Sequence, residues 1–151
     1  MDMRAIIKTA KFVTLVPPQL KNNGAFTGNT YIDTQGLGAL LIAIIVGTTD
    51  VIVGSTDTSH ALKVEECDTT GGSYTDVTSA AMAAVVASTG DDTIYGISID
   101  LTKSHKRYMR LNAPTAGSST GANMCVLAIG FPMSQGPVTA AGMGLGTLVE
   151  A

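Results

Sequence analysis

The sequence predicts an all-β protein, an antiparallel β-sandwich of jelly-roll type with extended N- and C-terminal arms. Short segments that are apolar or that alternate between apolar and polar residues recur along the chain, separated by Gly, Ser and Thr. This spacing is typical of sandwiches and barrels. Gly, Ser and Thr occur in every segment, and they favour turns or strands over helix interiors.

The first predicted strands lie between residues 30 and 77. Residues 30–32 are a short β-prone run that ends at the turn residues 33–36. Residues 40–46 are apolar throughout, which is typical of a central strand covered on both faces. Residues 62–67 and 74–77 flank a turn that contains two glycines, so they predict a hairpin.

Three further strands are predicted beyond residue 90. Residues 94–101 alternate, and their apolar face consists of Tyr95, Ile97, Ile99 and Leu101. Residues 108–112 alternate too, with Met109 and Leu111 on one face. Residues 124–131 are apolar on both faces and end at Pro132.

Residues 79–87 are Ala-rich and are compatible with either a single helical turn or a strand.

The alternation also predicts which side chains form the core. The predicted core consists of Leu41, Ile45, Val64, Ile97, Ile99, Met109, Leu111, Leu127 and Ile129.

The chain divides into three predicted parts: an N-terminal arm over residues 1–24, a β-sandwich domain over residues 25–132 and a C-terminal tail over residues 133–151. Both ends carry apolar side chains in segments too irregular to bury them alone, and exposed apolar patches normally mark interfaces. The predicted oligomer or capsid interface consists of Phe12, Val13, Leu15, Val16, Pro17, Pro18, Met133, Val138, Met143 and Leu145.

Composition favours a protein that works inside an assembly. Charged residues make up 14% of the chain, against about 25% in an average soluble domain. Residues 111–149 contain no Asp, Glu, Lys or Arg, and depletion of charge is typical of interface cores. The alternative is a surface rich in Gly, Ser and Thr with a disordered tail.

Charge and termini indicate the compartment and exclude two classes of partner. The net charge of −3 provides no positive field for nucleic acid or anionic lipid. The apolar run over residues 37–46 is shorter than the roughly 20 residues that span a bilayer. The first four residues lack the layout of a signal peptide. Cys67 and Cys125 are expected to be buried free thiols in a reducing cytosol.

Residues with catalytic potential do not form a convincing site. Residues 117–121 match G-x-S-x-G around Ser119, but that motif needs a following helix and a later His, and the last His is His105. His60 lacks partners at a metal-ligand spacing.

The charged segments and the glycine-containing segments do not indicate a catalytic, metal-binding or cofactor-binding site either. The acidic residues around the predicted hairpin indicate a solvated turn, although a weak calcium site stays open. Residues 103–107 are basic and predict a charged turn. We therefore expect a non-enzyme with no catalytic, metal or cofactor-binding residues and no cofactor.

The order of several segments resembles a family of small structural proteins of tailed bacteriophages. The resemblance covers roughly residues 29–138. It rests on YIDTQG at 31–36, ALKVEECD at 61–68, GSYTDV at 72–77, YGISIDL at 95–101, KRYMRL at 106–111, AIGFP at 128–132 and GPV at 136–138. The sequence departs from the family in the neutral residues 130–133, where family members are commonly more basic, and in the tail after Val138.

The resemblance implies a capsid decoration, or cement, protein. Such a protein binds the outer surface of a tailed-phage head and stabilises contacts between major capsid subunits. The expected partners are the major capsid protein and the chain itself, as a trimer in preference to a dimer, without nucleic acid or membrane. The expected location is the outer capsid surface of the virion, after synthesis in the bacterial cytoplasm. A tail, head–tail joining or receptor-binding fibre protein is the alternative.

Overall fold

The computed structural model describes residues 8–21, 24–49, 62–82, 90, 92–112, 114–116 and 122–133. Ten strands account for most of these residues, and the all-β prediction is confirmed. The strands are β1 (Lys11–Lys21), β2 (Gly24–Ala25), β3 (Ile32–Asp33), β4 (Leu37–Thr49), β5 (Leu62–Cys67), β6 (Thr75–Met82), β7 (Thr93–Asp100), β8 (Tyr108–Leu111), β9 (Thr115–Ala116) and β10 (Ala122–Pro132).

Eight of the strands form two four-stranded antiparallel sheets that pack against each other. The first sheet has the order β1-β10-β4-β7 and the second has the order β3-β8-β5-β6, while β2 and β9 form a separate short ribbon. Among the eight, the first strand pairs with the last, the second with the seventh, the third with the sixth and the fourth with the fifth. This nested pairing is that of a rolled-up hairpin, so the sandwich has jelly-roll topology.

The core lies between the two sheets. In the first sheet, β4 contributes every second residue, and Ile42 and Ile44 are fully buried. The second sheet contributes residues such as Val64 from β5 and Met109 from β8, both also fully buried. One contiguous cluster joins these side chains. Because buried apolar area stabilises a fold by about 25 cal/mol per Å², this cluster is the main source of stability.

Four members of the predicted core are assigned to the wrong face. Leu41, Ile45, Leu127 and Ile129 alternate with the fully buried residues of β4 and β10, so they point away from the second sheet and are only half-buried. Both strands are apolar on both faces. The sequence therefore lacks the alternation that would show which set of residues faces inward.

The core predictions on alternating strands are confirmed. Ile97 and Ile99 are buried on β7, and Tyr95 and Leu101 pack against the same cluster. Met109, Leu111 and Val64 are buried in the second sheet. In β7 and β8, small or polar residues alternate with most of the buried apolar ones, and this alternation indicated the inward face.

The predicted N-terminal arm is wrong over residues 11–21. These residues form β1, which pairs with β10 along its whole length, with register shifts around Val16. Leu15 and Val16 are fully buried in the core. The two prolines at 17 and 18 interrupt the pairing of β1 with β10. For this reason the sequence did not predict a strand over these residues.

Hydrogen bonds from the chain after β2 cover the free edge of β1. The backbone N–H of Thr30 donates to the carbonyl of Leu15 at 2.8 Å. The Gln19 side chain donates from Nε2 to the Thr27 carbonyl at 2.6 Å and accepts from the Thr27 N–H at 2.9 Å. β1 is thus held by partners on both sides.

The predicted hairpin is present as β5 and β6. Its register shifts between Lys63 and Glu65, where β6 bulges, and Ser79 in the bulge has a φ of 64°. That is the left-handed region, which is uncommon for residues other than glycine. Of the two alternatives for residues 79–87, a helical turn or a strand, the strand is confirmed over residues 79–82. Residues 83–87 lie outside the described residues.

Two adjacent isoleucines provide a test of the inward and outward faces of β4. Ile44→Ala should lower the free energy of unfolding by about 2–5 kcal/mol, because it leaves a cavity in a fully buried position. Ile45→Ala changes the same side chain on the outer face and should cost about 1 kcal/mol or less in dilute protein. Urea denaturation measures both, and equal losses would contradict the assigned faces.

Candidate interaction surface

The outward face of the first sheet consists of side chains from four aligned strands. Residues that are Cα partners lie side by side on the same face. The outward rows, read across the sheet towards β7, are Phe131 with Ala39 and Asp100; Phe12 with Ile129, Leu41 and Ser98; Thr14 with Leu127, Ala43 and Gly96; and Cys125 with Ile45 and Ile94. We call this set the outer apolar face.

The outer apolar face is almost free of charge. Asp100 is the only charged side chain in these rows, and it lies at a corner, where its carboxylate accepts hydrogen bonds from Thr102 at 2.6 and 3.0 Å. The large side chains in the middle of the face are half-buried by their neighbours within the same sheet. Towards the margin on β7, exposure rises to 68% at Ile94. A continuous apolar surface of this kind normally marks an interaction site.

The outward face of the second sheet has the opposite character. Lys63 pairs with Asp76 at 2.8 Å, and Arg110 pairs with Glu65 at 3.1 Å. Arg110 also lies 3.9 Å above the Tyr74 ring. These charges keep that face compatible with water, so the two outward faces of the sandwich are chemically distinct.

A bidentate ion pair fastens the corner between β3 and β8. Arg107 donates from Nε and Nη2 to the Asp33 carboxylate at 2.9 and 2.7 Å. The Arg107 hydrogen bonds hold the pKa of Asp33 below its ordinary value of 3.8, more strongly than partial burial raises it. Arg107 also lies 5.1 Å from the Tyr108 ring centroid, within cation–π range.

The one histidine among the described residues contributes to a loop anchor. His105 Nδ1 lies 3.0 Å from Glu66 Oε2, and the same oxygen accepts the backbone N–H of Lys106 at 3.2 Å. Both side chains are mostly buried. These contacts tie the loop after β7 to β5 and so connect the two sheets. His60 and Ser119 lie outside the described residues.

The described part of the chain contains neither a candidate metal cluster nor a candidate membrane-spanning helix. Within those ranges, His, Cys, Asp and Glu side chains do not gather into a group of three that could hold a metal ion. None of the described residues belongs to a helix long and apolar enough to cross a membrane.

Both cysteines are free, as the sequence predicted, but only Cys67 is buried as expected. Cys67 is buried under the turn after β5. Cys125 is half-buried on the outer apolar face, where desolvation raises the pKa of its thiol. The position of Cys125 makes it a reporter of contacts on that face.

The structure places the predicted interface residues in different environments. Leu15 and Val16 are in the core and are unavailable to another chain, which corrects that prediction. Val13 is half-buried and packs against the core, whereas Phe12 lies on the outer apolar face.

Towards the two ends of the first sheet, Pro17, Pro18 and Met133 are exposed, Met133 by 71%. Val138, Met143 and Leu145 lie outside the described residues. The residues of β4 and β10 that lie on the outer apolar face were not predicted to form a surface, because the apolar runs that contain them were interpreted as core. The signal was present in those runs, since a strand apolar on both faces needs a second covering layer.

Comparisons of the chain with protein-family models, with curated proteins and with solved structures found no match. The resemblance to tailed-phage proteins therefore stays a prediction that rests on the residues quoted for it. The surface chemistry described above stands independently of that resemblance.

The Asp33–Arg107 pair predicts a specific pH dependence of stability. A carboxyl whose pKa is lower in the folded state contributes stability above its unfolded pKa, and this contribution is lost as the pH falls through the folded pKa. Asp33→Asn should therefore cost about 0.5–1 kcal/mol at pH 7, and the difference from the wild type should shrink below about pH 3.8.

Urea denaturation at a series of pH values between 7 and 2.5 measures this effect. Arg107→Gln removes the donor of the same pair and should reproduce the result of Asp33→Asn. Stability curves of wild type and Asp33→Asn that stay parallel over the whole pH range would show that the pair contributes nothing.

Proposed function

We propose that the protein is a virion structural protein that decorates the outer surface of a tailed-phage head and stabilises contacts between major capsid subunits. The observation that carries the proposal is the outer apolar face. A protein that functions alone in water has no use for a four-stranded apolar surface, whereas a subunit of an assembly buries it. The charged outward face of the second sheet then remains in solvent.

Thermodynamic linkage explains how such a protein stabilises a shell. A ligand that binds only the assembled state shifts the assembly equilibrium by RT ln(1 + [L]/Kd). A small protein that bridges capsid subunits adds buried apolar area at about 25 cal/mol per Å². Many copies act in parallel on one head, so modest binding at each position adds to a large effect on the whole particle.

The jelly-roll topology is compatible with this role. Folds of this class occur in viral capsid domains, and also in lectins and cupins. A fold does not imply a function, so the weight of the proposal rests on the outer apolar face and on the resemblance over residues 29–138. Exposed Pro17, Pro18 and Met133 stay candidates for capsid contacts.

Phage heads made without the protein test the proposal. Such heads should release their DNA at a lower temperature than complete heads, and purified wild-type protein added back should restore the release temperature. Ile42→Asp places a charge in the core, should prevent folding, and is the negative control. Release of DNA can be followed with a DNA-binding dye during heating.

Imaging of the virion at a resolution that traces side chains gives an independent answer. Density for this chain on the outside of the head is the expected result. Density at the neck or tail would replace the proposal with the head–tail joining or fibre alternative. Absence of the chain from purified virions would contradict every virion role.

A further inference from the structure

The free edges of the two sheets lie side by side at one flank of the sandwich. β7 is the end strand of the first sheet, and β6 is the end strand of the second. A groove of about 470 Å³ lies between them, and its buried apolar lining includes Val77 and Ala80 from β6 and Ile99 from β7. The groove opens at this flank, whereas the outer apolar face covers the outward side of the first sheet.

The free edge of β7 carries backbone groups that can pair with a further strand. The Leu101 N–H donates to the Gly38 carbonyl at 3.0 Å, and such bonds recur at every second residue of an antiparallel ladder. The register of β4 and β7 therefore directs the odd-numbered residues of β7 towards β4 and the even-numbered ones towards the free edge. Within the described residues, no hydrogen bond satisfies the edge N–H and C=O groups of Ile94, Gly96 and Ser98. Such an edge is a template for another strand.

The C-terminal segment of the sequence has the pattern of a strand with one apolar face. Within residues 139–147, the odd positions include Ala141, Met143 and Leu145, and the even positions 142, 144 and 146 are all glycine. This alternation has the period of a β-strand, and it places the large side chains on one side of the backbone. Gly136 and Pro137 precede it and are typical of a turn.

The chain leaves the first sheet close to one end of the groove. Met133 follows β10, lies against Gly38 of β4, and donates its N–H to the Gly36 carbonyl at 3.2 Å. Gly38 in turn bonds Leu101, just after β7. From β4, the position beyond β7 is two strand spacings away, about 10 Å. Residues 134–138 cover that distance at about 3.3 Å per residue.

We propose that residues 139–147 of this chain pair with the free edge of its own β7, and that Met143 and Leu145 fill the groove between β7 and β6. β10 and β7 are both antiparallel to β4, so a segment that turns back after β10 runs antiparallel to β7. The first sheet then has five strands. The inference concerns an edge that the proposed function does not use, so each stands or fails without the other.

The charges around the groove match the order of residues in this segment. The charged residues that line the groove lie at the end where Met133 leaves the sheet; they are Glu66, Asp76, Asp100, Lys103 and His105. The polar residues Ser134 and Gln135 enter at this end. Farther along, the lining is formed by residues such as Val77 and Ala80, and residues 136–149 carry no charge that would need solvation there.

Residues 1–7 are a poorer match for the same edge. β1 lies at the opposite edge of the first sheet, so a strand beyond β7 is four strand spacings away from it, about 19 Å. At about 3.3 Å per residue, residues 1–7 would be nearly used up in crossing that distance. They also carry Asp2 and Arg4.

Tethering favours the C-terminal segment over a strand from another protein. A segment joined to the sheet by a short linker has an effective concentration on the order of millimolar at its site. A separate peptide of equal fit therefore has to reach that concentration before it competes. The edge of β7 is for this reason assigned to the chain's own residues.

Two neighbouring alanines in the segment provide a matched test. Ala141→Glu places a charge on the side of Met143 and Leu145, facing the apolar groove, where burial of an unpaired charge is costly. Ala140→Glu places the same charge on the opposite side, in solvent. Hydrogen exchange of the full chain, followed residue by residue by NMR, reports on the N–H groups of Gly96 and Ser98.

In wild type and Ala140→Glu, these two N–H groups should exchange at least about a hundredfold more slowly than in an unstructured peptide. In Ala141→Glu they should exchange at least about tenfold faster than in wild type. The N–H of Ile97 bonds β4 instead and should stay equally protected in all three proteins. It shows that the sandwich itself remains folded.

Three results would overturn the proposal. The first is free exchange of the Gly96 and Ser98 N–H groups in wild type, and the second is an equal effect of Ala140→Glu and Ala141→Glu. The third is protection that disappears on dilution, because the strand would then come from another molecule. None of these measurements involves phage heads, so their failure leaves the proposed function untouched, and failure to decorate heads leaves this strand in place.

Discussion

The pairing of β10 between β1 and β4 is the interaction on which the rest of the sandwich depends. It joins the first described strand of the chain to the last, and it places β4 in the middle of the first sheet. The pairing of β10 with β1 helps to hold Leu15 and Val16 in the core. Strands so distant in sequence must close long loops before they gain contacts, so this pairing is expected to form late and slowly in folding.

β10 also explains why the molecule has a surface of unusual chemistry. Its inward residues, such as Val126, fill the core, and its outward residues, such as Leu127, form the centre of the outer apolar face. The second sheet balances this arrangement with ion pairs on its own outward side, as between Arg110 and Glu65. One side of the sandwich is therefore suited to protein contact and the other to water.

The sequence predicted the fold class, and it predicted the strands wherever polar residues alternate with apolar ones. In β7 and β8 the alternation identified the buried positions correctly, because a polar side chain marks the outward face. In β4 and β10 that mark is absent, so the choice between Ile44 and Ile45 depends on which face the second sheet covers. β1 was missed because prolines in a strand argue locally against pairing.

The candidate surface was predictable only in part. The charge-free residues 111–149 indicated an interface, but the residues predicted to form it were at the chain ends. Some neighbours on the outer apolar face lie more than 80 residues apart in the sequence, as with Leu41 and Ile129. Their adjacency follows from the sheet order and the register, which a single sequence does not specify.

The edges of the sheets determine what kind of assembly this protein can avoid. Unpaired edge strands can add further strands and lead to fibres. At one edge of the first sheet, Pro17 and Pro18 provide no N–H donors, and Gln19 clasps the neighbouring segment. At one edge of the second sheet, the bulge at Ser79 breaks the regular ladder. These edge features disfavour open-ended polymers and favour closed complexes.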